Sequence, residues 1–118
     1  ETAAHLAENG RITFMFCAFS GAPRILRLYG TGTVIQPGND SWEELLGLFP
    51  ATIGARQIVR ARISRVQTSC GFGVPEMEFR GHRENLLRWA ARRGEEGLTD
   101  YRAKHNARSI DGLPAPLP

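Results

Sequence analysis

The chain has 118 residues, 42% of them apolar and 23% charged, and a formal net charge of +3. This is the length of one globular domain with room for a single core. It excludes a disordered polymer, and no apolar run is long enough to cross a bilayer. Residue 1 is Glu and the next residues already read as helix, which predicts a fragment or processed product whose beginning lies upstream.

Thr2 to Glu8 reads as a short helix, stopped by Asn9-Gly10. Arg11 to Phe19 alternates Ile12, Phe14, Phe16 and Ala18 with Thr13, Met15, Cys17 and Phe19. Both faces are largely apolar, which predicts a central strand covered on two sides. Ser20 to Pro23 is a turn, and Arg24 to Ile35 is the return strand of a hairpin. Gly30 and Gly32 sit two apart on one face of that strand. They mark a bend or bulge, or space for a flat ligand against the backbone.

After the loop Gln36 to Asp40, Ser41-Trp42-Glu43-Glu44 has the form of a capping box. It opens a helix over 41–49 whose face is Trp42, Leu45, Leu46 and Phe49, read as core packing. Arg56 to Gln67 is the next strand, with Arg60 and Arg62 side by side on one face. They form a solvent or partner-contact face, or a grip for phosphate or carboxylate. Thr68 to Pro75 reads as a Gly-rich loop and Glu76 to Arg80 as a short strand. Arg83 to Arg93 is a helix with Leu86, Leu87 and Ala90 inward, closed by Gly94; a second runs from Glu95 to Ala107. The tail 109–118 holds three prolines and reads as irregular.

Strands and helices are segregated, which implies a single α+β domain with antiparallel pairing. Its parts are a sheet region over 1–80, C-terminal helices over 81–108 and the tail. Three strands close no barrel. A six-stranded barrel needs strands from outside this sequence or from a partner chain.

Fourteen of the 15 basic residues are Arg, and residues 80–108 carry eight basic against four acidic residues. The acids are interleaved and no aromatic stacking row accompanies them. This predicts a solvated helix face and not a nucleic-acid site. Cys17 and Cys70 fit no zinc or redox spacing and read as free thiols of a cytoplasmic protein. His5, His82 and His105 are scattered, so no metal site is expected. The distinctive stretch is Gln67-Thr68-Ser69-Cys70-Gly71-Phe72-Gly73-Val74-Pro75. It gathers hydroxyls, a thiol and flexible backbone, as a structural turn or as donors to a phosphate or polar ring edge. Cys70 reads as a small packed residue or, beside positive charge, as a reactive thiolate.

The order of helix, Asn9-Gly10-Arg11, apolar strand and Pro23-Arg24-Ile25-Leu26-Arg27-Leu28-Tyr29-Gly30-Thr31-Gly32-Thr33-Val34 resembles the middle of pyridoxamine 5′-phosphate oxidase-like proteins. The stretch from Arg65 to Pro75 and the late Asn106 to Pro114 resemble one subgroup of them. The resemblance covers nearly the whole chain. It implies a split β-barrel, incomplete here, that binds FMN at the interface of a homodimer and acts as an oxidoreductase. Deazaflavin and heme are alternative ligands of such proteins. By position Thr2 would touch the flavin phosphate, as helix N-termini attract anions. The strand with Arg24, Ile25 and Arg27 would flank the flavin ring. Thr68, Ser69, Cys70 and Gly71 would border the pocket.

Three departures accompany the resemblance. The family's upstream strands are not in this sequence. Ile25 stands where true oxidases carry a Gln that contacts the ring. The Arg-rich C-terminal motif that holds pyridoxal phosphate has no counterpart in the tail. The departures argue against pyridoxamine phosphate as substrate. They also leave open a non-catalytic, dimeric small-ligand-binding module of the same fold.

Overall fold

A computed structural model describes residues 1–116; the last two tail residues, Leu117 and Pro118, lie outside the described residues. The elements are α1 (Thr2–Asn9), β1 (Arg11–Cys17), β2 (Arg24–Ile35), α2 (Trp42–Leu46), β3 (Ile58–Cys70) and α3 (Asn85–His105). The strands form one antiparallel sheet in the order β1-β2-β3. The class is therefore α+β with an open three-stranded sheet, compatible with an incomplete split barrel.

The first helix and the hairpin fall where the sequence puts them. Gly10 closes α1 at φ 70°, a left-handed conformation that suits glycine, and its N–H reaches the Leu6 carbonyl at 2.9 Å. The Gly10 carbonyl then accepts from Gly32 N–H at 2.7 Å, which pins the helix end to β2. Ala3, Ala4 and Leu6 are buried. Gly32 is the seat of this helix. A Cβ there would stand 2.9 Å from Leu6 Cδ2 and 3.3 Å from Ile12 Cγ2.

Gly30 has a different task. The register between β2 and β3 shifts at Tyr29/Gly30, so Tyr29 faces Arg65 while Gly30 faces Ile63 and Ser64 is left over. A Cβ on Gly30 would collide with the Arg62 carbonyl. The glycine admits a β-bulge, and the bend reading of the sequence holds. The bulge also reverses the alternation of β3. Arg60 and Arg62 share a face with Thr33 and Thr31, and beyond the bulge Arg65, Gln67 and Ser69 join that same face.

Several expectations are corrected. β1 is an edge strand and not a central one, with Met15 and Phe16 more than half exposed. No capping box forms at α2. Ser41 is already in a helical conformation and its side chain makes no cap bond. Instead the Asn39 carboxamide oxygen accepts from Ser41 N–H at 3.0 Å, and the Asn39 carbonyl accepts from Trp42 N–H at 2.9 Å. This is a local Asn-centred turn that takes over the capping role. The helix is shorter than 41–49. Trp42 is buried, whereas Phe49 is exposed.

Thr68, Ser69 and Cys70 belong to β3, pairing with Leu26, Ile25 and Arg24, so the Gly-rich loop begins only at Gly71. Residues 76–80 form no strand. One bond from Met77 N–H to the Phe19 carbonyl, 2.8 Å, ties them to the hairpin. α3 breaks at Gly94, where φ is 67° and ψ 179°, as the sequence implies. Leu86 and Leu87, however, are exposed and only Ala90 of that trio is buried. The tail has no helix or strand through Pro116, yet it is tied down. Ile110 N–H donates to Glu1 Oε1 at 2.8 Å and Gln36 Nε2 to the Pro116 carbonyl at 3.1 Å.

The core is small for the chain. Buried apolar side chains are Ala3, Ala4, Leu6, Ile35, Trp42, Ala90 and Leu98. The accessible surface is 9202 Å², against about 6,400 Å² expected for a compact monomer of this mass. The radius of gyration is 16.9 Å, against about 13.5 Å for a closed domain of this length. Much apolar surface remains in water.

Candidate functional site

Antiparallel pairing places seven of the eight expected site residues at one end of the β2–β3 ladder. Ile25, Arg27 and Ser69 share one face there. Arg24, Thr68 and Cys70 project from the opposite face at the same end. Gly71 is buried just past β3. A Cβ on it would stand 2.5 Å from Arg24 N and 2.9 Å from Pro23 C, so this glycine lets the chain cross the hairpin closely. Cys70 is exposed, and Cys17 is half-buried on the Ile25 face.

The Ile25 face carries a ladder of side-chain bonds. Arg27 Nη1 donates to Ser69 Oγ at 3.0 Å, and Tyr29 Oη donates to Gln67 Oε1 at 3.0 Å. Both are diagonal cross-strand pairs. The Arg65 guanidinium lies 5.7 Å from the Tyr29 ring centre. Arg27 spends one of its five donors on Ser69, and the others remain for a ligand. The exposed Met15 lies beside Arg27 across the β1–β2 pair. The patch thus offers a guanidinium, a hydroxyl and a carboxamide beside flat apolar surface. Sequence reasoning missed Tyr29, Arg65 and Gln67. Strict alternation along β3 puts Arg65 and Gln67 on the Ile63 face. The signal for them in the sequence is Gly30, because a bulge opposite it shifts the register of β3 by one residue.

The other face at this end carries, beside Arg24, Thr68 and Cys70, an apolar patch. Phe16, Leu26, Leu28 and Val66 share it, with Phe16 54% and Val66 62% exposed.

Thr2 is not brought to this cluster. It lies at the first turn of α1 in a cavity of about 270 Å³ with Glu1, Arg56 and Gln57 among its walls. Gln57 immediately precedes β3, whereas Ser69 is close to its end. At the rise of a strand that is about 35 Å.

A larger cavity, about 530 Å³, lies between α3 and the segment 52–56. Glu1, His5 and Asp111 are the sole trio of possible metal ligands that converge among the described residues. His5 Nε2 lies 3.5 Å from Glu1 Oε2 and 3.3 Å from Asp111 Oδ2 at an open surface. No described helix is long and apolar enough to cross a membrane.

Comparison with known proteins decides the family. The chain is 38% identical over 132 residues to the pyridoxamine 5′-phosphate oxidase family protein ustO of Aspergillus flavus, an alignment that covers 97% of the chain. The chain belongs to the pyridoxamine 5′-phosphate oxidase family. It spans about half the length, 52%, of that curated relative. No protein-family profile and no solved structure matches it.

Proposed function

We propose that the chain is an FMN-binding flavoprotein that works as a cytoplasmic homodimer, with oxidoreductase chemistry on a substrate other than pyridoxamine phosphate. The observation that carries this reading is the ladder of Arg27, Ser69, Tyr29 and Gln67 on a member of this family. A flavin ring has an apolar body and a polar edge rich in acceptors. Arg27 and Ser69 supply donors for such an edge, while Ile25 and Met15 supply apolar surface beside them. Thr2, at the start of α1, is the anion-holding end. It lies too far along the sheet to serve the same ring within one chain. The proposed site is therefore completed across a dimer, with Thr2 from one copy and the Arg27 group from the other. The large exposed surface supports a dimer, since covering the bare sheet face completes a core that one chain leaves open.

Bound FMN supplies the electron transfer, so the chain needs few catalytic side chains of its own. Its residues orient the ring and exclude water. Arg27 fixes the polar edge, Ile25 packs on the ring without hydrogen-bonding it, and Phe16 and Val66 seal the sheet against the second copy. Deazaflavin and heme are tested beside FMN as alternative ligands.

The test is titration of FMN into the purified protein, followed by flavin fluorescence and absorption. Saturable binding is expected, weakened about tenfold by Arg27→Met, the equivalent of about 1.4 kcal/mol. Absence of binding, or an unaltered affinity in Arg27→Met, overturns the site. Ile25 favours a second reading, a non-catalytic, dimeric small-ligand-binding module of the same fold. FMN binding with no bleaching of the flavin band by NADH or NADPH would favour it.

A further inference from the structure

We propose that the cavity between α3 and the segment 52–56 is a binding site for a small amphipathic anion, a carboxylate or its like on an apolar body. It lies at the other end of β3 from the proposed ring-binding surface, and it shares Arg56 and Asn106 with the neighbouring cavity that holds Thr2. The cavity of about 530 Å³ is within the usual range for small-molecule sites. Ile53, Leu86, Leu87, Trp89, Leu98 and Tyr101 line its apolar part. Leu86 is 70% exposed and Ile53 59%, so the lining is open to water as it stands.

The polar end is cationic. Arg102 Nη2 donates to the Gly54 carbonyl at 2.9 Å, and Arg56 Nη1 donates to Asn106 Oδ1 at 3.1 Å. Arg102 and Asn106 are one helical turn apart, with Asn106 N–H bonded to the Arg102 carbonyl at 2.8 Å. The two guanidiniums therefore converge at the end of α3. Each spends one donor on a neutral acceptor. No carboxylate lines the cavity, and neither arginine has an ion-pair partner among the described residues. Burial, and then the charge of Arg56, lower the pKa of Arg102. The Arg102 guanidinium nonetheless remains charged at neutral pH.

Two adjacent cations that have no ion-pair partner repel each other. An anion between them removes that cost and accepts bidentate bonds. The rest of the cavity then takes an apolar body. Charge thus selects an anionic small molecule over a second protein chain, which would bring no specific need for the arginine pair.

Trp89 lines the cavity and serves as the reporter. Octanoate is titrated against 1-octanol, which has the same chain without the charge, and tryptophan emission is recorded in parent and Trp89→Phe protein. Octanoate is expected to bind saturably and at least tenfold more tightly than 1-octanol, with the response lost in Trp89→Phe. Arg56→Gln and Arg102→Gln are expected to reduce octanoate to the level of 1-octanol while leaving 1-octanol unchanged, which also shows that the cavity is intact. Should Arg102→Gln not fold, Arg56→Gln and a sodium chloride series carry the test, because the preference for octanoate must shrink with salt. Equal affinity for the two probes, or an octanoate affinity indifferent to Arg56→Gln, overturns the proposal.

Discussion

The two ends of strand β2 differ in what covers them. At one end Leu6 of α1 packs on Gly32. At the other end the same face presents Phe16, Leu26, Leu28 and Val66 with Phe16 and Val66 largely open. The strand's alternation is unbroken between them. The sequence pattern therefore specifies an apolar face along the whole length, and the chain itself covers only part of it. The uncovered end is where the flavin site and the second copy are proposed, and the covered end is where stability within one chain resides.

The sharpest way to break this contrast is at the covered end. Leu6→Ala removes a buried side chain from the helix that packs on Gly32 and is expected to cost about 2–4 kcal/mol, read as a lower denaturant midpoint. Gly32→Val is expected to cost about 1–3 kcal/mol, because its Cβ would meet Leu6 at 2.9 Å. An unchanged midpoint in both would mean that α1 contributes no core. Val66→Ala, the equivalent truncation at the open end, is expected to cost less than about 0.5 kcal/mol in a monomer.

At the open end the larger effect is on assembly. Phe16→Glu places a charge on the exposed apolar face, opposite Leu26. It is expected to turn a dimer into a monomer in sedimentation analysis while far-UV circular dichroism stays the same. A dimer that persists in Phe16→Glu would put the interface elsewhere. Thr2→Ala is expected to weaken FMN by about 1 kcal/mol with no loss of dimer. An unchanged affinity would remove Thr2 from the site and leave the Arg27 group to be judged by itself.

The hairpin and the helix stops were legible in the sequence because each rests on local chemistry. Asn9-Gly10 ends α1, and Gly94 breaks α3, at the residues where a left-handed turn is needed. The edge position of β1 was not legible. Alternation reports that both faces of Met15 and Phe16 are apolar, but not whether the chain contains what covers them. The extent of β3 was misread because Thr68, Ser69 and Cys70 look like loop residues. Their strand conformation is imposed by pairing with Arg24, Ile25 and Leu26, over forty positions away in sequence. The arginine pair of the α3 cavity was hidden for the same reason, since Arg56 and Arg102 meet only through tertiary folding.

The smallest expected effect concerns α2, near the covered end, where motif and structure part. Ser41-x-x-Glu44 has the spacing of a capping box, so Ser41→Ala should cost about 1 kcal/mol if the motif acts as one. In the structure the Ser41 side chain makes no cap bond, and Asn39 accepts from Ser41 N–H at 3.0 Å. Ser41→Ala is therefore expected to cost less than about 0.5 kcal/mol, and Asn39→Ala about 1 kcal/mol. The order of the two is the informative quantity, because both residues are on the same turn and share the same burial of Trp42. A larger loss for Ser41→Ala than for Asn39→Ala would return the capping role to the serine. It would also mean that the turn at Asn39 is a consequence of α2 and not its cause.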